Sequence, residues 1–203
     1  VSNVALILGV AGASTQASFV RIAGVSGLIA GAMSMAAGEY VSVSSQLDVE
    51  RADLEREKRE LADDPEAELA ELAGIYRARG LSEELSWKVA EELTAGDALA
   101  VHARDELGID TEELSNPLQA AWASALSFSI GAAVPLLTIS LMPSSARVVA
   151  AIVITLISLT ALGVAGAVIG GAPRLRAATR VTVWGALAMG ITMAIGALVG
   201  TAV

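Results

Sequence analysis

The sequence predicts an all-α membrane protein. It has five transmembrane helices, the first of them cut short, and a cytosolic three-helix acidic insert between spans 2 and 3. Three observations lead there. Hydrophobic residues make up 54% of the 203 residues, and charged residues only 17%. The net charge is nevertheless −9, because 21 of the 22 acidic residues fall between Asp48 and Glu113. The remaining acid is Glu39, and no Asp or Glu follows Glu113. A polar, acidic block is therefore set between two segments with the composition of lipid-embedded protein. No stretch shows the alternation of a half-buried strand.

Residues 1–45 carry only Arg21 and Glu39 as charges. Val1–Ala13 is apolar but shorter than the roughly 20 residues of a full span, so it reads either as a re-entrant piece or, the favoured reading, as a helix joined partway along. Ser18–Ser45, rich in Gly, Ala and Ser, is the second span. Leu47–Ala62 is dense in strong helix formers. Asp64-Pro65 breaks that helix, and Pro65 suits the first position of the next, Pro65–Ala78, which ends near Gly80. Ser82 is the N-cap of a third helix running to Leu107, with Gly96 weakening its middle and Gly108 stopping it. Leu118–Leu141, Val148–Ile169 and Val181–Val203 are the last three spans. Each has 22–24 residues, enough to cross about 30 Å of hydrocarbon. A short basic loop with Arg174, Arg176 and Arg180 precedes the final one. The organisation is thus residues 1–45, 46–116 and 117–203.

Lys and Arg set the orientation. With five spans, the acidic block and the 170–180 loop share one side, which carries eleven basic residues against two (Arg21 and Arg147) on the other. The acidic block is expected in the cytosol.

Several function classes drop out. The apolar content excludes intrinsic disorder. No basic face is available to phosphates, so no nucleic acid is expected as a partner. There is no cysteine, hence no disulfide, thiolate metal site or cysteine nucleophile. HExxH, GxSxG, Walker A and GxGxxG are all absent. The chain is not expected to be an enzyme, to carry a prosthetic group or to be driven by ATP.

Candidate ligands remain. Glu39 lies in an otherwise apolar segment, where a carboxylate costs about 2.5–3.5 kcal/mol and so marks a functional position. Met35 is four residues earlier on the same helix face. A thioether and a carboxylate together suit a partly dehydrated Fe²⁺ or Mn²⁺. The alternative is a Glu39 that snorkels to water. In the acidic block, Glu50, Asp53, Glu57 and Glu60 are spaced 3, 4, 3 along one helical stripe. Glu68 and Glu71 are three apart on the next helix, and Glu83, Glu84, Glu91, Glu92 and Glu106 lie on the third. Carboxylates from facing helices can converge on cations. A solvated charged face, laced by pairs such as Glu55–Arg59 and Arg56–Glu60, is the competing reading. His102, the single histidine, is four positions before Glu106 and on its face. Gly27-x-x-x-Gly31, Gly166-x-x-x-Gly170 and Gly196-x-x-x-Gly200 point to close helix approach or dimerisation.

The run Gly31-Ala-Met-Ser-Met-Ala-Ala-Gly-Glu-Tyr-Val-Ser-Val-Ser-Ser-Gln46 resembles the second-helix signature of the vacuolar iron transporter family. Val1-Ser2-Asn3 is similar to the stretch that follows that family's first-helix Asp-Gly motif. The resemblance covers the whole chain. It implies a homodimer in a lipid bilayer that exports Fe²⁺, and often Mn²⁺, from the cytosol in exchange for protons. It implies metal binding by insert glutamates that fall on Glu57, Glu60, Glu68, Glu71 and Glu106. A family Met falls on His102, and the membrane-site Met falls on Met35. In this chain Zn²⁺ would also suit the insert. Two departures stand out: the first-helix Asp would lie just upstream of Val1, and a second-helix acid of some members falls on Gly27. The expectation is a proton-coupled exporter of a prokaryotic plasma membrane; the alternative is a membrane-anchored metal sensor or buffer.

Overall fold

The computed structural model describes residues 1–14, 16–143 and 145–202; Val203, the predicted end of the last span, lies outside them. The described residues are helical, with no strand among them. In chain order the helices are α1 (Ser2–Ala13), α2 (Ala17–Asp63), α3 (Pro65–Ala78), α4 (Glu83–Thr94), α5 (Ala98–His102), a π-helical turn (Ala103–Leu107), α6 (Pro117–Leu141), α7 (Arg147–Ile169) and α8 (Arg174–Ala202). Four of them, α2, α6, α7 and α8, are long and apolar enough to cross a membrane, whereas α1 is apolar but only 12 residues long. The chain is an integral membrane protein by these helices.

Three boundaries differ from the expectation. The second span and the first insert helix are one 47-residue helix, because no Gly or Pro interrupts residues 39–63. The third insert helix is not continuous: it breaks after Thr94, and Asp97 restarts it by accepting a hydrogen bond from the Ala100 amide at 3.0 Å. The basic segment 174–180 is the first part of α8, not a loop.

The chain forms two compact units, Gly38–Ala120 and Val1–Ala37 with Ala121–Val203. In the first, Asp64 caps α3 through the Ala67 amide at 3.1 Å, with Pro65 at the first helical position. Ser82 caps α4 through the Leu85 amide, and Gly80 (φ +104°) supplies the left-handed turn between the two helices. Leu72, Ala73 and Tyr76 of α3 pack on Ala90 and Val101 to form the core of this unit. In the other unit, Val4 and Leu8 of α1 meet Met189 of α8, and Ile7 meets Val20, Ile139 and Ala151. Two of the three small-residue motifs are contact faces. Gly196 and Gly200 lie against the backbone of Gly9 and Ala13, and Gly31 lies against the Phe128 ring. Gly166 faces open space. Large apolar side chains such as Trp122, Leu126, Ile157 and Leu198 point outward, as lipid-facing residues do.

Candidate metal centre

Three chain segments of the acidic unit bring four ligand-type side chains to one point. α2 contributes Glu57. The Asp64-Pro65 break turns the chain into α3, which places Glu68 in its first turn. Packing of Val101 against the α3 core seats α5, and with it His102. The π turn then carries Glu106 back toward His102. Nδ1 of His102 is 3.0 Å from Glu57 Oε1, 3.6 Å from Glu106 Oε2 and 3.7 Å from Glu68 Oε2. One ligand atom from each of the four residues lies within 4.8 Å of every other.

The group is enclosed. His102 and Glu57 are 0% and 1% exposed, Glu68 9%. Both His102 nitrogens, Glu57 Oε1 and Glu106 Oε2 are buried without a hydrogen bond of proper geometry. Each such atom costs about 1–3 kcal/mol while unpaired. Among the described residues no Lys or Arg pairs with the three carboxylates; their ion-pair partner is His102. Burial is the main cause that raises the pKa of all three glutamates above the ordinary carboxylate range. The Glu106 charge adds to this at Glu57, and the Glu71 charge at Glu68 and Glu106. Three carboxylates and an imidazole that face one another at one point match the donor set of a borderline divalent ion such as Fe²⁺, Mn²⁺ or Zn²⁺.

The π turn is held from outside. Tyr76 Oη donates to Asp105 Oδ2 at 2.6 Å, Arg79 Nη1 to Asp105 Oδ1 at 2.8 Å, and Arg79 Nη2 to the Asp105 carbonyl at 2.9 Å. These bonds, the Tyr76 one foremost, lower the Asp105 pKa. Gly108, at φ +72°, closes the turn. π-helical turns inside helices often accompany functional sites.

The other sequence candidates lie elsewhere. Glu60 and Glu71 are exposed, yet their charges act on the buried carboxylates, so they form a rim. The 3, 4, 3 stripe is divided among three tasks. Glu50 accepts from the Ser115 amide (3.0 Å) and hydroxyl (2.6 Å), Asp53 pairs with Arg56 at 2.9 Å, and only Glu57 turns inward. Arg56 also reaches Glu60 at 3.8 Å, whereas Arg59 bonds the Glu55 carbonyl rather than its carboxylate. Met35 lines a cavity of about 900 Å³ in the other unit, together with Asn3, Phe128 and Thr155. Glu39 is exposed, with no ion pair among the described residues. A side chain at Gly27 would collide with Asn3 and Leu6, which explains why an acid has no room there. Sequence reasoning missed the Tyr76–Asp105–Arg79 clamp, since no spacing rule joins residues 26 and 29 positions apart.

The family model described as the VIT family matches residues 1–197. A protein named vacuolar iron transporter from Acanthamoeba castellanii is 45% identical over 193 residues, covering 95% of this chain and 74% of the relative. Vacuolar iron transporter homolog 3 of Arabidopsis thaliana is 34% identical over 202 residues (99% and 78%). VIT-like transporter 1b of Glycine max is 31% identical over 201 residues (98% and 71%). With matches of this extent and an all-helical membrane architecture, the chain belongs to the VIT family, the family of vacuolar iron transporters.

Proposed function

We propose that this chain exports divalent iron, and manganese, from the cytosol in exchange for protons, working as a homodimer in the plasma membrane of a prokaryote. The observation that carries the reading is the buried Glu57–Glu68–His102–Glu106 group with its unpartnered oxygens and nitrogens. The names of its relatives, vacuolar iron transporters, supply the substrate class. In this reading the insert faces the cytosol and collects the ion. Glu57, Glu68 and Glu106 bind it through carboxylate oxygens and His102 through a ring nitrogen, while Glu60 and Glu71 draw cations to the rim. Because the three carboxylates titrate above their ordinary range, the cation displaces protons from them as it binds. Met35, in its cavity, gives the ion a soft ligand within the membrane, and Glu39 stands where α2 leaves the apolar segment.

Proteoliposomes holding the full-length protein, with the insert facing outward and the lumen acidic, should accumulate Fe²⁺ or Mn²⁺. Accumulation should stop when a protonophore collapses the gradient. Uptake that ignores the gradient would remove the proton coupling, and no uptake at all would remove transport.

A further inference from the structure

The unit formed by Val1–Ala37 and Ala121–Val203 contains no Asp or Glu. No Asp or Glu side chain within the unit can therefore answer Arg174, Arg176 or Arg180. These three arginines lie on the first two turns of α8 and are exposed. None makes a side-chain hydrogen bond or ion pair among the described residues. Arg176, Arg180 and Trp184 are four residues apart in succession, so they stand on one helix face. With Leu175, Thr179 and Val183 they line an open groove of about 480 Å³. Leu175 is 80% exposed and Trp184 70%. They lie at the start of a candidate membrane span, Arg174–Gly200.

We propose that this groove binds the headgroup of an anionic phospholipid. The guanidinium forks of Arg176 and Arg180 would engage the lipid phosphate, a planar two-donor match. Trp184, one turn further along, sits at the depth where amphipathic rings settle between headgroup and acyl chain, and Leu175 and Val183 flank the chain. The helix start adds its own partial positive charge. The occupant is a lipid, not a free anion, because most of the groove wall is apolar and lies on a candidate membrane span. Such a site is independent of the metal centre and of the transport reading.

The test uses the full-length protein with Trp87 and Trp122 replaced by Phe, so that Trp184 alone fluoresces. It is reconstituted in phosphatidylcholine vesicles containing brominated phosphatidylglycerol or brominated phosphatidylcholine. Quenching by the phosphatidylglycerol should occur at a clearly lower mole fraction. In R176Q/R180Q that preference should fall roughly tenfold or more, at about fivefold per arginine, whereas R176K/R180K, which keeps the charge but not the planar fork, should keep only part of it. Quenching by brominated phosphatidylcholine should persist in every variant, reporting a correctly inserted helix. Equal quenching by the two lipids, or an unchanged preference in R176Q/R180Q, would overturn the proposal. So would displacement by inorganic phosphate, which would assign the groove to a free anion.

Discussion

His102 Nδ1 lies 3.0 Å from Glu57 Oε1, and both side chains are closed off from solvent. Two further carboxylates stand within reach of the same nitrogen, and among the described residues no Lys or Arg relieves them. The buried, unpartnered oxygens and nitrogens of this group are ones that a bound cation would satisfy. E57Q keeps the volume and removes one charge. Its affinity for Mn²⁺ should fall at least tenfold, about 1.4 kcal/mol, by isothermal titration of the solubilised protein. The melting temperature of the metal-free protein at neutral pH should stay level or rise, because one uncompensated buried charge is gone. A drop in metal-free stability together with unchanged Mn²⁺ affinity would make Glu57 a structural residue only.

The pH dependence follows from the same burial. The pKa values of Glu57, Glu68 and Glu106 are raised in the folded protein, so the folded state binds protons that the unfolded chain has already released. Their favourable contribution is full below the ordinary carboxylate range and is lost as pH rises through the raised values. Glu57 comes from α2, Glu68 from α3, Glu106 from the π turn, and His102 and the rim acids Glu60 and Glu71 face them. Melting of the metal-free insert, followed by circular dichroism on the full chain, should therefore weaken from mildly acidic to neutral pH. Mn²⁺ should restore stability at neutral pH and much less in acid, where protons hold the sites.

Tyr76 should act on the turn rather than on the ion. Y76F removes one hydrogen bond to the charged Asp105, a loss of roughly 1.5–3 kcal/mol by thermal or denaturant unfolding of the insert. Mn²⁺ affinity should decline less than in E57Q, since Glu57 and Glu68 keep their places.

The helix contact between α1 and α8 gives a paired test. A Cβ at Gly196 would run into the Gly9 carbonyl, whereas one at Gly166 meets nothing. G196A should lower the melting temperature of the solubilised protein. G166A should leave it level or raise it by the helix propensity gained, about 0.5–1 kcal/mol. Equal behaviour of the two would contradict the close approach of α1 and α8.

The cap chemistry at Asp64-Pro65, Ser82, Gly80 and Gly108 was legible in the sequence, and so was the partition into apolar and acidic segments. These depend on local composition and on single residues with fixed backbone preferences, which act wherever they stand. The continuous α2 was not legible. A change of polarity at residue 45 looks like a boundary, but a helix ends only where something breaks it, and nothing between Glu39 and Asp63 does. The restart at Asp97 and the π turn were hidden for the opposite reason: a helical pattern does not show a strained turn that tertiary bonds hold in place.

The candidate site divides along the same line. Residue type and helical spacing marked the acids of the site no more than other acids of the insert, such as Glu50, Asp53, Glu83 and Glu91; the resemblance to a known family singled out Glu57, Glu60, Glu68, Glu71, His102 and Glu106. Only the fold decided that Glu57, Glu68, His102 and Glu106 meet in a closed pocket while Glu60 and Glu71 stay at its rim. Composition and periodicity fix which face of a helix a side chain occupies. Burial depends on how α2, α3 and α5 pack, through Leu72, Ala73, Tyr76 and Val101, and that packing links residues too far apart in sequence for any local pattern to record.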